Sequence, residues 1–128
     1  KKVDGDSWIF SLVAEEEELA QELISRYPGF GSLWAHMRYI FAVRMWYYAL
    51  TFADKITEKE NTEQLCGGIL GLLKSTISVM DKVCKEEVCG VDLPKQQRHA
   101  SACRLWCVDV SLRVCATVNK DTDNGDDE

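Results

Sequence analysis

Cysteine and histidine are the side chains in this sequence with the most chemistry in them. The 128-residue chain holds six cysteines (66, 84, 89, 103, 107 and 115) and two histidines, His36 and His99. His99 and Cys103 are four residues apart, a spacing that puts a base and a thiol on one helix face, as Cys/His nucleophilic catalysis requires. No carboxylate is placed to orient the imidazole, and the segment is largely apolar. A nucleophilic thiol needs exposure and a depressed pKa, so no catalytic pair is expected.

Cys84-x4-Cys89 and Cys103-x3-Cys107 make two pairs of thiols. A loop pair and a helix pair could close a four-thiolate zinc site. The usual C-x2-C spacing is absent, so the expectation is free cysteines acting as small buried hydrophobes, with no metal and no cofactor. Zinc in Cys84, Cys89, Cys103 and Cys107 is the alternative. Gly67-Gly68-Ile69-Leu70-Gly71 lacks the Gly-Lys-Ser/Thr ending of a phosphate loop. Inside a helical pattern these glycines predict close approach of a neighbouring backbone. The run Glu15 to Glu18 reads as a solvated face. No enzyme is expected.

Charge segregation offers an anion site. Lys95, Arg98, Arg104, Arg113 and Lys120 face a single Asp109 between positions 95 and 120. Cations at a helix start oppose its dipole by about a few tenths of a kcal/mol, and an anion there relieves this. Lys95, Arg98, His99 and Arg104 are therefore the candidate anion-binding residues, for an acidic peptide, a phosphate-bearing ligand or the chain's own acidic tail. Trp106 is the only aromatic on that helix, which leaves no stacking platform for single-stranded RNA.

Aromatic clustering offers a protein site. Trp34, Tyr39, Phe41, Trp46, Tyr47, Tyr48 and Phe52 share one segment with Met37 and Met45, and Tyr, Trp, Met and Arg are enriched at interfaces. Positions 37, 41, 44 and 48 form one helical face, and 39, 43, 46 and 50 another. A small helical domain can bury one broad face of such a helix; the surplus is left to meet a partner. Trp34, Met37, Arg38, Tyr39, Arg44, Trp46, Tyr47 and Tyr48 are the candidate partner-binding residues.

The elements that position these groups are all helical. A stripe at 3.6-residue spacing from Ile9 to Tyr27 predicts a first helix, about 7–27, capped by Asp6 or Ser7 and stopped by Pro28-Gly29. The second runs from about Ser32 to Glu58. A third starts at Asn61, which with Gln64 has the form of a capping box, and ends near Glu87. The fourth is capped by Asp92, carries Pro94 in its first turn and ends near Val118. Residues 1–118 are read as one all-α domain, a compact globular bundle of four to five helices with a possible short extra turn. Residues 119–128 are read as an acidic, disordered tail.

Composition bounds the function. The net charge is −6, which argues against a general nucleic-acid binder. The apolar stretch from Leu33 to Ala53 is long enough to cross a bilayer, but Arg38 and Arg44 would each cost about 2.5–3.5 kcal/mol at mid-membrane, so a buried helix and no membrane span are expected. The start at Lys1 reads as a processed product or an excised piece. The cysteines are confined to 66–115, unlike a stapled secreted domain that ties its whole length together. Reduced thiols in the cytoplasm or nucleus are expected, and secretion is the alternative. The functional expectation is a non-enzymatic helical interaction domain whose partner is a protein, a peptide or a second copy in a homodimer. A viral or pathogen accessory protein that engages a host factor fits this profile. The alternatives are a secreted, disulfide-stabilised helical ligand or carrier (cytokine-like or lipid-binding) and a small zinc-stabilised or RNA-binding regulator.

Overall fold

The computed structural model describes the backbone of residues 2–53 and 59–126, and the side chains of 8–51 and 63–117. Helices α1 (Lys2–Arg26), α2 (Gly31–Ala53), α3 (Lys59–Val83), α4 (Glu86–Cys89) and α5 (Leu93–Asp126) follow in order, with a 3-10 turn at Gly90–Asp92 before α5. The four long helices pack into a compact bundle, and no strand occurs among the described residues. The extra turn is α4.

Several boundaries differ from the sequence expectation: α1 begins at Lys2 rather than about Ser7, and α3 is already helical at Lys59 rather than starting at Asn61. α3 stops at Val83 instead of near Glu87, and the chain re-enters a helix at Glu86. Lys85 there is extended at φ −118° and ψ 148°. The α5 backbone stays helical through Asp126 rather than ending near Val118. No proline interrupts the acidic stretch from Asn119, and each added turn of an existing helix escapes the cost of nucleation. The expected tail is thus the end of α5 up to Asp126. Asp6, Ser7 and Asn61 lie inside helical backbone rather than at a helix start, so they are not the expected caps; their side chains lie outside the described residues.

α2 is the centre of the bundle and packs on α1, α3 and α5. It buries Trp34, Met37, Ile40, Phe41, Met45 and Ala49 along one side. Against them α3 turns Leu65, Ile69, Leu73, Thr76, Met80 and Val83, and α5 turns Ala100, Cys103, Cys107, Val110 and Val114. Each set recurs every three or four residues, the period of a helix with one apolar face. Buried hydroxyls are satisfied within their own helices: Thr76 donates to the Leu72 carbonyl at 2.9 Å and Ser111 to Cys107 at 2.8 Å. α1 gives the core only Ala20 and Ile24 among its described residues.

One end of the bundle is knotted by Gln96, a fully buried amide near the start of α5. Its Oε1 accepts the Gly29 N–H at 2.7 Å and the Trp34 indole N–H at 2.9 Å. Its Nε2 donates to the carbonyls of Ile24 and Val83 at 3.2 and 3.4 Å. A buried amide must satisfy both of its ends, and this one does so against the ends of α1, α2 and α3. Gly29 can offer its N–H here because it takes φ +81° in the α1–α2 turn, a conformation open mainly to glycine.

Candidate functional site

α2 divides its aromatic residues between inside and outside. Trp34, Met37, Phe41 and Met45 are core. On the opposite side Tyr39 is 67% exposed, Val43 37%, Trp46 39% and Leu50 66%. With the exposed His36 they form a row at alternating three- and four-residue spacing, a single stripe along the outside of α2.

α1 walls this row on one side. Leu12, Val13 and Glu16 of α1 and His36, Tyr39, Ile40 and Val43 of α2 line a shallow cavity of about 180 Å³, apolar over nearly all its wall. Glu16 reaches His36 across the mouth at 3.6 Å. Further along, Glu17 accepts from Arg44 at 2.5 Å in a half-buried ion pair, and Phe10 meets Tyr47 edge-on with centroids 5.0 Å apart. These contacts hold α1 against α2, so both walls of the groove are fixed. The outer face of α1 adds exposed Trp8, Leu12 and Leu19, interleaved with exposed Glu15, Glu18 and Glu22.

The eight candidate partner-binding residues therefore have different jobs. Trp34 and Met37 belong to the core, because their positions fall on the side of α2 that faces α5 and α3. Arg44 and Tyr47 fasten α1 through the ion pair and the ring contact above. Tyr48 packs over Gly68 of α3, so closely that a methyl group at Gly68 would overlap its hydroxyl. Arg38 is half-buried, and its charge acts on the Cys103 and Cys107 thiols. Only Tyr39 and Trp46 stay on the outer row. Its other members, Val43 and Leu50, were visible as one helical face with them. Leu12, Val13, Glu16 and His36 had no signal in the sequence, since a wall contributed by a second helix depends on how the two dock.

The expected close approach at the glycines is confined to Gly68, and it comes from the Tyr48 ring rather than from backbone. A side chain at Gly67 or Gly71 would meet open space.

The anion-binding candidates lie in three places. The Lys95 stem packs on Gly29 and the His99 ring on Gly31, both over the α1–α2 turn. Arg98 is exposed. Arg104 donates to Asp81 of α3 at 2.8 Å, beside an open polar hollow that also takes in Cys84, Gln97 and Ser101.

All six cysteines are free thiols. Cys89 is buried and donates to the Val83 carbonyl at 3.0 Å. Burial pushes the Cys84 and Cys89 thiols up. Cys103 and Cys107 are sealed in the core one turn apart; the interaction with Cys103, and then burial, hold the Cys107 thiol far above the ordinary range. Cys115 is pushed up to about 11, first by burial and then by the neighbouring Cys66 thiol.

The zinc arrangement is not formed. Among the described residues no three His, Cys, Asp or Glu side chains come close enough to share an ion. Cys84 meets α5 at the Gln96 carbonyl, and Cys103 lies seven residues further on, a rise of about 10 Å. Among the described residues, too, no helix is long and apolar enough to cross a membrane.

No protein-family model matches the chain, and no curated protein or solved structure matches it either.

Proposed function

We propose that this chain is a non-enzymatic helical interaction domain that seats a basic amphipathic helix of another protein in the α1–α2 groove. The observation that supports it is the exposed row Tyr39, Val43, Trp46 and Leu50 beside a cavity walled by Leu12 and Val13. Such a groove binds a helix through anchors spaced at i, i+3, i+4 and i+7. An apolar surface of this kind on a small domain is costly to leave in water. The occupant is chosen by charge. Glu16 stands on the groove wall, Glu15, Glu18 and Glu22 lie along the outer face of α1, and the chain as a whole carries −6. Lysine or arginine on the occupant's rim meets these carboxylates, whereas a second copy would bring like charge.

The test is titration of a designed Leu/Lys amphipathic helix into the chain, read by calorimetry and by tryptophan fluorescence. Saturable binding weakened at least tenfold by Tyr39→Ala or Trp46→Ala, and weakened by Glu16→Gln, supports the reading. Binding indifferent to all three, or no binding, refutes it. Sedimentation of the free chain as a dimer that Trp46→Glu dissociates would assign the row to a homodimer instead.

A further inference from the structure

We propose that Cys66 and Cys115 are a dithiol site, which a low-molecular-weight disulfide converts into a disulfide bond between α3 and α5. The pairing follows from the register of the two helices. They run antiparallel and are pinned at one end by Arg104 on Asp81 at 2.8 Å and by Cys84 Sγ on the Gln96 carbonyl at 3.9 Å. Stepping eighteen residues back from Cys84 along α3, and nineteen forward from Gln96 along α5, covers nearly the same rise on both helices. Those steps end at Cys66 and Cys115. Cys115 lies eighteen residues, five whole turns, after Gln97, which lines the same hollow as Cys84, so Cys66 and Cys115 fall on the same side of the seam; Cys66 is among the groups that raise the Cys115 thiol.

Their setting suits exchange with a small disulfide. Each is half-buried and stands next in sequence to a core residue, Leu65 or Val114. Core packing fixes the two backbones while both cysteines stay partly exposed. The other pairs lack this combination. Cys103 and Cys107 are sealed, one turn apart on one helix, with Cβ vectors running side by side. Cys89 is buried and occupied with the Val83 carbonyl.

The chemistry balances with the small disulfide as oxidant. One cysteine thiolate attacks its sulfur–sulfur bond, which breaks and releases one small thiol, leaving a mixed disulfide on the protein. The partner thiolate then attacks the protein sulfur of that mixed disulfide and expels the second small thiol. The protons of the two cysteines end on the two released thiols. The protein loses two electrons and the small disulfide gains them.

The experiment incubates the fully reduced, native chain with oxidised glutathione, followed by intact mass and digestion without reduction. The expected product is lighter by about 2 Da, with Cys66 and Cys115 in one linked peptide, and it melts higher by on the order of 10 °C. Cys66→Ser and Cys115→Ser should each remove the link and leave a glutathione adduct on the remaining cysteine of the pair. The same incubation in denaturant should scatter the links over several pairs. A dominant link between any other pair, glutathione adducts on both Cys66 and Cys115 of the wild-type chain without closure, or an unchanged mass would each overturn the proposal. The wild-type map decides this even if a variant fails to fold.

Discussion

Gln96 Oε1 accepts the Trp34 indole N–H at 2.9 Å, and both side chains are buried in the core. The same amide holds Gly29, Ile24 and Val83, so four backbone or side-chain groups from separate parts of the chain depend on one side chain. Replacing it by leucine keeps the volume roughly but strands the Gly29 and Trp34 N–H groups and takes a donor from the Ile24 carbonyl, while the Val83 carbonyl keeps the Cys89 thiol. Each buried unsatisfied group costs about 1–3 kcal/mol, and local shifts recover part of this. Gln96→Leu is expected to lower stability by about 2–4 kcal/mol in urea unfolding. Trp34→Phe, which frees only one bond, should cost less. A Gln96→Leu chain as stable as wild type would show that the knot is ornamental.

The glycines of α3 separate into two kinds. Gly67 and Gly71 are exposed in mid-helix with room for a side chain. Alanine there is expected to stabilise by about 0.5–1 kcal/mol at each site, through helix propensity. Gly68→Ala instead drives a methyl group into the Tyr48 ring, and should destabilise by about 1–3 kcal/mol as the ring is displaced. Thermal melts of the three single variants should show shifts of opposite sign.

Much of this fold could be read in the residues themselves, for reasons that explain what could not. The all-α class followed from 3.6-residue periodicity in α1 and α3, and Pro28-Gly29 and Asp92-x-Pro94 marked true helix ends. α2 resisted because it is apolar nearly all round: periodicity cannot say which side of such a helix is core, so Trp34 and Tyr39 looked alike. Their fates, buried and 67% exposed, were set by where α5 and α3 dock. The break after Val83 was hidden because Cys84-Lys85-Glu86-Glu87 carries no proline or glycine. The Gln96 knot was invisible for a simpler reason. Its partners lie between 13 and 72 residues away in sequence, and nothing local distinguishes a buried glutamine from the solvated Gln97 beside it.

The two tryptophans of α2 test that division directly. Trp34 is 2% exposed and packed among Met37, Phe41 and α5, so Trp34→Ala is expected to cost about 3–5 kcal/mol. Trp46 lies on the outer row, and Trp46→Ala should cost no more than about 1.5 kcal/mol. Equal losses in chemical denaturation would mean that the outer row is as buried as the core, and the groove would not be available to a partner.

Cys115 ties stability to alkaline pH. Its thiol is raised from 9.0 to about 11 in the folded chain, chiefly by burial. Below pH 9 the folded and unfolded chains both carry it protonated, and its contribution is fully present. As pH climbs from 9 towards 11 the unfolded chain releases this proton first, so stability falls across that window. Lysines and tyrosines titrate there as well, so the measurement is a difference. The unfolding midpoint of reduced wild type should decline more steeply between pH 9 and 11 than that of Cys115→Ala. Parallel curves would mean that the thiol is solvated in the folded state, and would remove the half-buried setting that places it against Cys66.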